Sequence, residues 1–446
     1  MKKKIIIPKR IVTVDRQGRV LSGHFVVVED DRIISIEETD ESKLKNIDAE
    51  IYRFDNLTLI PGLVQNHIHL CQSLFRGFAD DLELLEWLQH RIFPFENAHN
   101  PESLRASVRI GLNELIRSGT TTILDMGTLR HQHVVFEELA LSGIRAFGGK
   151  CLIDINELYP AFKSDTDYEL KESYELAAAF HNIGSDNIKY AFSPRFVLSC
   201  SEKLLKDSFE MMKDFPGSLY HTHASENKKE LEQVKKRFGM RNIEYLENEN
   251  LLNGHTVLAH CIHTDEKEIN ALKNNNVGVA HCPSANLKLG SGIADIPRYL
   301  KEGIRVGIGA DGAPCNNSLN PFIEMRLSGL IQKPMHGADS MDAEQIFRMA
   351  TIDGAATLNI DNITGSIEPG KKADLVLIDL ENSLKPIDID EENIYSAIVY
   401  SANRDDVVFV MADGQWLVEN SVSNVFDEYE IYYHGKEEFS KLMSRI

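Results

Sequence analysis

Residues 255–283 read HTVLAHCIHTDEKEINALKNNNVGVAHCP, and this stretch contains one strand–helix–strand unit. The segments 256–260 and 277–281 are short apolar runs of the kind that form buried strands. The polar segment between them has the spacing of an amphipathic helix. Strands that alternate with helices predict a parallel sheet.

The same alternation continues through the middle of the chain. The sequence predicts six further strands at 59–67, 120–124, 144–154, 188–193, 218–223 and 305–310. A helix that begins after Asn100-Pro101 and ends at Gly119 is typical of the helical segments between them. Eight strands with intervening helices predict an α/β fold, a closed (β/α)8 TIM-type barrel.

The two chain ends have a different pattern. The first 60 residues are rich in Ile and Val and contain a turn at 15–18, which predicts strands. The last 80 residues are interpreted in the same way, with a hairpin turn at Asp413-Gly414. We therefore predict a small β-sandwich domain built from residues 1–59 and 367–446, and a barrel domain at 60–366.

Composition limits the possible partners and the compartment. The 446 residues are 43% apolar and 26% charged, with a formal net charge of −20. A nucleic-acid-binding protein usually has a basic footprint, so neither nucleic acid nor an anionic membrane is expected as a partner. No apolar run approaches the length of a spanning helix, and the run after Lys4 is too short for a signal peptide. Six cysteines without a C-x-x-C pair indicate reduced thiols, and we predict a cytoplasmic protein.

The predicted strand ends carry residues that suit chemistry. Active sites of such barrels lie at the C-terminal ends of the strands. The polar residues found at these ends are His67 with His69, Arg195, His223, His260, His281 and Asp311. Five histidines and an aspartate among them are more than packing alone explains, so we expect a metal site.

His67 and His69 are the first candidate ligands. Residues two apart on a strand project to the same face, so both rings can reach one cation. Imidazole suits zinc, iron, copper or nickel. His131 and His133 have the same spacing, but they open a predicted helix, where their side chains diverge. That second pair is therefore not expected to bind metal.

His223 and Asp311 are the next candidates. Glu226 follows His223 by three residues, which places a proton carrier beside a metal-activated water. His221 shares the face of His223 and could compete for the ligand role, although His223 lies nearer the strand end. Asp311 ends the Gly-rich run 307–311, which allows close approach of the backbone.

Two further histidines have open roles. His260 could be a fourth imidazole ligand, or it could donate a hydrogen bond to the water at the metal. His281 could brace the site or act directly.

These motifs together resemble the amidohydrolase superfamily, in its aminohydrolase branch of purine and triazine deaminases. The resemblance extends from 61–69 to 365–376 and includes, in order, H-x-H, H-x-x-E, H-C, H-C-P and D-G. It implies one divalent metal ion, usually zinc or iron, held by His67, His69, His223 and Asp311. It further implies that Glu226 moves protons, that His260 orients the attacking hydroxide or holds the substrate, and that Asp311 accepts the proton of the water.

A single metal is also favoured by the fourth strand. Members with two metals bridge them with a modified lysine at the end of that strand. Lys189 stands at its beginning, which is the wrong end of the barrel.

Two subfamilies compete as the nearest match. Guanine deaminases are similar at Gln72 and at 193–200, which implies that Gln72 and Arg195 hydrogen-bond the base and that Phe196 stacks on it. Adenosine-type deaminases are similar at 71–77, 80–87 and 310–320. In the nucleoside deaminases the position of Glu96 holds ribose hydroxyls.

The longer matches favour a deaminase of a 5′-deoxyadenosine-like nucleoside. The alternatives are guanine deaminase, triazine amino- or chlorohydrolase, and a catalytically silent purine-binding barrel. The expected partner is a small purine or related heterocycle, and a homo-oligomer is compatible with the sequence.

Overall fold

The computed structural model describes residues 3–44, 48–183, 186–382, 384–386 and 388–446. Eight parallel strands form its centre, in chain order Leu63–His69, Thr120–Asp125, Arg145–Gly148, Ile188–Pro194, Leu219–Ala224, Thr256–His260, Gly278–His281 and Arg305–Ile308. Each strand pairs with the next along the chain. The short strand Asp311–Gly312 then pairs with Ile68 and His69 of the first strand and closes the ring. This confirms the predicted TIM-type barrel.

Helices surround the barrel on its outer side. The longer ones are Pro101–Arg117, Gln132–Ser142, Thr166–Phe180, Glu202–Met211, Lys228–Phe238, Asn242–Asn248, Glu266–Asn274, Pro283–Lys288, Ile296–Lys301, Pro321–Leu330, Ala343–Met349 and Ile352–Thr357. Short helices of three to five residues lie at Glu41–Leu44, Leu84–Trp87, Phe93–Asn97, Ala313–Asn316, Lys333–His336 and Ile394–Ser396. As predicted, Asn100 caps the first long helix, where its side chain accepts from the amide of Ser103. Apolar residues of these helices pack on the outer face of the strands and form the largest core.

Two glycines let the eighth strand approach the first. A Cβ atom on Gly307 would lie 2.0 Å from Oδ1 of Asn66, and one on Gly309 would lie 2.6 Å from the carbonyl oxygen of His67. Any larger residue would push these strands apart. The Gly-rich run therefore brings Asp311 next to the strand that carries His67.

The chain ends form a second sheet, as predicted. Its nine strands are Lys3–Val12, Val20–Ser22, His24–Glu29, Arg32–Glu38, Glu50–Pro61, Leu375–Ile378, Val407–Ala412, Gln415–Glu419 and Val422–Ser423. Glu50–Pro61 joins the two ends, because it pairs in parallel with Lys3–Val12 and antiparallel with Leu375–Ile378. The domain boundaries at 59/60 and 366/367 stay a prediction.

The end of the chain differs from the expectation of strands only. Glu428–Met443 is a helix that packs on Pro101–Arg117, and Asp427 caps its first turn. Its tyrosines are typical of strands, but here Tyr429 and Tyr432 face outward. Tertiary packing of the opposite helix face overrides that preference. Within the described residues, no helix is both long and apolar enough to cross a membrane.

Candidate metal centre

Four side chains converge at the C-terminal end of the barrel. His67 and His69 lie on the first strand, His223 lies on the fifth, and Asp311 follows the eighth. One possible ligand atom from each lies within 4.8 Å of all the others. Nε2 of His69 is 3.2 Å from Nε2 of His223, and Oδ1 of Asp311 is 3.3 Å from Nε2 of His67 and 3.4 Å from Nε2 of His69.

The hydrogen bonds of the candidate ligands show which of their atoms have lone pairs available for a cation. Nδ1 of His223 lies 2.6 Å from the carbonyl oxygen of Arg195, so Nδ1 carries the proton and Nε2 presents a lone pair. Nε2 of His67 is buried and has no hydrogen-bond partner in the part of the chain that the structure describes. Lone pairs and a carboxylate this close together repel each other without a cation between them. Three imidazoles and one carboxylate suit zinc or a similar ion, so these residues fit one divalent metal ion.

Burial and mutual contact set the charges of this group. Burial lowers the pKa of His69 and of His223 well below the usual value, so both rings are neutral ligands. Burial opposes ionisation of Asp311, but the close approach of the imidazoles of His67 and His69 outweighs it and holds the pKa of Asp311 well below its usual range. The set is therefore ready to accept a cation at neutral pH.

Glu226 and His260 lie beside the metal ligands. Nε2 of His260 is 3.5 Å from Oε2 of Glu226 and 3.9 Å from Oδ2 of Asp311. Burial raises the pKa of Glu226 above its usual value, which suits a carboxyl group that both donates and accepts protons. The two groups face the same cavity as His69 and His223.

Two positioning contacts here are absent from the sequence predictions. Nδ1 of His260 donates to Oδ1 of Asn286 at 2.8 Å, which directs Nε2 toward Glu226. Glu230 accepts from the backbone amide of Glu226 at 2.9 Å and fixes the loop that carries it. Asn286 follows the H-C-P motif and Glu230 occupies the capping-box position of its helix, so both signals were present in the sequence.

The predicted substrate-binding residues form one buried network. Nε2 of Gln72 donates to Glu96 at 2.7 Å. The guanidinium of Arg195 donates to both oxygens of Glu96, at 2.8 and 3.2 Å. This fork geometry holds Arg195 rigidly, at the edge of the cavity. The roles of Gln72, Glu96 and Arg195 toward a substrate stay predictions.

The cavity above the metal ligands has an apolar outer wall. Leu84, Trp87 and Leu88 line one side, and Phe196 and Leu289 line others. Phe196 pairs through its backbone with His223, which places its ring next to the ligand set. A flat heterocycle fits between such walls.

His281, His131 and His133 are not members of the group of four candidate ligands. His281 is fully buried, and neither of its ring nitrogens has a hydrogen-bond partner among the described residues, so its direct role stays a prediction. His131 precedes and His133 belongs to the helix Gln132–Ser142, with ring centroids 6.4 Å apart. Lys189 lies near the start of its strand and donates to Asn182.

The backbone is strained where the site is built. His260 and Asp311 have φ values of +72° and +62°, in the region that favours glycine. Residues without glycine's freedom pay of the order of 1–3 kcal/mol each in such conformations and are common at active sites. The strain turns both side chains toward the cavity.

A barrel with this ligand set at the C-terminal ends of its strands defines a metal-dependent hydrolase. The model of the amidohydrolase family matches residues 58–417. The chain belongs to that family.

Relatives and solved structures show which members of the family this chain is similar to. The chain is 33% identical to a 5-methylthioadenosine/S-adenosylhomocysteine deaminase of Bacillus cytotoxicus, over 97% of this chain and 98% of the relative. It is 36% identical to a 5′-deoxyadenosine deaminase of Methanothermobacter thermautotrophicus, over 90% and 91%. The crystal structure of an adenosine deaminase from Xanthomonas campestris with bound zinc has a TM-score of 0.91 and 28% identity, and covers 99% of both chains.

Proposed function

We propose that this protein is a metal-dependent deaminase that releases ammonia from the amino group of an adenosine-type nucleoside, with 5′-deoxyadenosine as the representative substrate. One observation supports this most strongly: the lone pairs of three imidazoles and the carboxylate of Asp311 meet beside Glu226 and His260. Deaminases of adenosine-type nucleosides among the relatives favour the same substrate class.

The reaction adds water to the ring carbon that carries the amine and expels ammonia. A divalent cation held by His67, His69, His223 and Asp311 supplies Lewis-acid charge and makes water acidic near neutral pH. Asp311 accepts a proton from the attacking water. Glu226 gives a proton to the adjacent ring nitrogen, which lets the ring take up the developing charge.

The remaining groups orient the reactants. His260 directs Nε2 at Glu226 and Asp311, because Asn286 holds the opposite nitrogen. Glu226, now a carboxylate, takes the proton of the new hydroxyl group and passes it to the leaving amine, which departs as ammonia. The proton held by Asp311 then returns to Glu226, so both carboxyl groups regain their starting states. The apolar walls at Trp87 and Phe196 exclude bulk water from the ring.

Arg195 gives the site a rigid hydrogen-bond donor for the substrate. Glu96 occupies one edge of its guanidinium, so the Nε edge keeps a free donor direction. We propose that this donor meets a ring nitrogen or hydroxyl oxygen of the nucleoside, and that Phe196 stacks on the base. With a net charge of −20, a small molecule is the partner we propose, and the cytoplasm is the location.

Ammonia release with a panel of substrates tests the function. Zinc-loaded protein is assayed with 5′-deoxyadenosine, 5′-methylthioadenosine, adenosine, guanine and an aminotriazine. We expect kcat/KM for 5′-deoxyadenosine to exceed that for guanine at least about tenfold, a difference of about 1.4 kcal/mol in transition-state binding. A higher kcat/KM for guanine or the triazine would establish the corresponding alternative. No ammonia from any of them would favour the silent purine-binding barrel.

A further inference from the structure

His221 is a buried histidine next to the metal ligands that no step of the proposed mechanism uses. It lies two residues before His223 on the same strand and is fully buried. It is not among the residues that line the cavity. A direct contact between His221 and the substrate therefore does not explain its place.

The contacts of His221 fix the position of its proton. Its Nδ1 lies 2.9 Å from the carbonyl oxygen of Val257 on the neighbouring strand. A carbonyl oxygen only accepts, so Nδ1 of His221 carries the hydrogen. The hydrogen bonds of His221 within the described residues go to this carbonyl and to another imidazole, and a buried ring that faces no carboxylate is neutral. Its one proton is then on Nδ1, and its Nε2 is an acceptor.

The next ring in the chain of contacts is His67. Nδ1 of His67 lies 2.7 Å from Nε2 of His221. Because Nε2 of His221 accepts, Nδ1 of His67 must donate. The single proton of the neutral His67 ring is then on Nδ1, and its Nε2 keeps the lone pair that faces His69 and Asp311.

We propose that His221 is a positioning residue that selects the metal-binding tautomer of His67. The alternative tautomer of His67 carries its proton on Nε2, only 3.3 Å from Oδ1 of Asp311. That proton would bond to Asp311 and occupy two of the four ligands at once. The backbone of Val257 anchors His221, and His221 keeps the proton of His67 on the far side of the ring. The inference rests on the metal site of the proposed function.

Zinc affinity measures this role without any substrate. We compare wild type with His221→Phe, which keeps a ring but has no acceptor, and with His221→Gln, whose amide oxygen can accept from His67. Tyr220→Phe is the matched control, since Tyr220 lies on the opposite face of the same strand and its hydroxyl donates to the carbonyl oxygen of Leu205. Kd for zinc is determined by competition with a chromogenic chelator on metal-free protein of full length.

Loss of the partner of a metal-bound histidine commonly costs about 10- to 100-fold in metal affinity. We expect His221→Phe to raise Kd by this factor, His221→Gln to stay within about threefold of wild type, and Tyr220→Phe to leave Kd unchanged. A folded His221→Phe protein with a Kd within twofold of wild type would overturn the proposal. So would equal losses in His221→Phe and His221→Gln, because these would indicate that the histidine ring acts by packing.

A second measurement covers the case in which His221→Phe does not fold. In wild-type protein labelled with 15N-histidine, the ring signals of His67, identified by their loss in His67→Asn, should show a protonated Nδ1 with and without zinc. A protonated Nε2 in the metal-free protein would overturn the proposal. Failure of the proposed function gives a different experimental result. In that case the wild-type protein would bind zinc normally but release no ammonia from nucleosides.

Discussion

The two ends of the barrel use buried polar groups in opposite ways. At the C-terminal end, Nε2 of His67 and Nε2 of His260 are buried without a hydrogen-bond partner. At the N-terminal end, Arg145 lies 2.9 Å from Oδ1 of Asp413 and 3.4 Å from Oδ2 of Asp374, and all three are buried. At the C-terminal end these atoms are available to the proposed metal ion and substrate, whereas at the N-terminal end the charged groups pair within the protein.

This difference indicates that residues for function and residues for stability lie at opposite ends of the barrel. Asp374 and Asp413 belong to the chain that forms the terminal sheet, so Arg145 ties the third barrel strand to that sheet. In such barrels the C-terminal face carries catalysis and the opposite face carries stability. Changes at one end should therefore alter turnover or metal binding, and changes at the other should alter the free energy of unfolding.

The largest effect is expected for Glu226→Gln. The amide cannot move protons, so turnover should fall by about 100- to 10,000-fold, while zinc content and the free energy of unfolding stay near those of wild type. Ammonia release and metal analysis measure this. Glu232→Gln, at an exposed position on the following helix, should leave all three unchanged. Wild-type turnover in Glu226→Gln would remove Glu226 from the mechanism.

At the opposite end, Arg145→Met removes the buried cation that Asp374 and Asp413 share, while Lys372 stays 3.2 Å from Asp413. Breaking a buried ion pair on one side commonly costs about 3–5 kcal/mol, and urea unfolding should show a loss of this size. The activity per folded molecule should be unchanged, because the substitution lies at the other end of the strand. Arg404→Met, at a half-exposed arginine, should cost less than about 0.5 kcal/mol. A loss of kcat in folded Arg145→Met would contradict the separation of the two ends.

The sequence predicts the polar groups at the C-terminal end of the barrel better than those at the N-terminal end. The convergence of the candidate ligands could be predicted because each histidine lies at or near the end of a strand, and strand ends of a barrel meet in space. The ion pairs of Arg145 could not, since Arg145 is separated by more than 200 residues from Asp374 and Asp413, and no local pattern links them.

Two other structural features could not be predicted from the sequence, for a similar reason. The final helix was missed because its tyrosines resemble a strand and only packing on Pro101–Arg117 selects the helix. The fork between Arg195 and Glu96 was also missed, because spacing along a chain does not show which buried charges pair.

Removal of the metal should lower the free energy of unfolding by less than the Arg145→Met substitution does. A ligand that binds only the folded state at 100 times its Kd stabilises by about 2.7 kcal/mol. Dialysis against a chelator should lower the free energy of unfolding by that amount and abolish activity, and added zinc should restore both. Arg145→Met should show the same decrement on chelation as wild type. An unfolding free energy that does not respond to chelator and zinc would contradict the assigned metal centre.

The smallest expected effect is on the pH dependence of the free energy of unfolding, and it concerns Glu169, a buried carboxyl group that the mechanism does not use. Burial raises the pKa of Glu169 to about 7, with Lys150 nearby at 3.3 Å opposing the shift. A carboxyl whose pKa is raised by folding adds stability at low pH, where it is protonated in both states, and loses it as pH rises through the folded value.

The stability of wild type relative to Glu169→Gln should therefore fall by about 2 kcal/mol between pH 5 and pH 7. Urea unfolding of both proteins at each pH measures it. Glu175→Gln, at an exposed position on the same helix, should give a constant difference from wild type. A difference that rises with pH for Glu169→Gln would mean that the ion pair with Lys150 outweighs burial.

The pairing of Asp311–Gly312 with Ile68 and His69 has a consequence for biosynthesis. The same residues seal the seam between the first and last barrel strands and complete the set of metal donors. A ribosome-bound chain that has emerged only as far as the seventh strand holds three imidazoles without their carboxylate and without a sealed seam. Capture of the ion and closure of the ring thus depend on the same two residues, and both events wait until the segment after the eighth barrel strand has been synthesised.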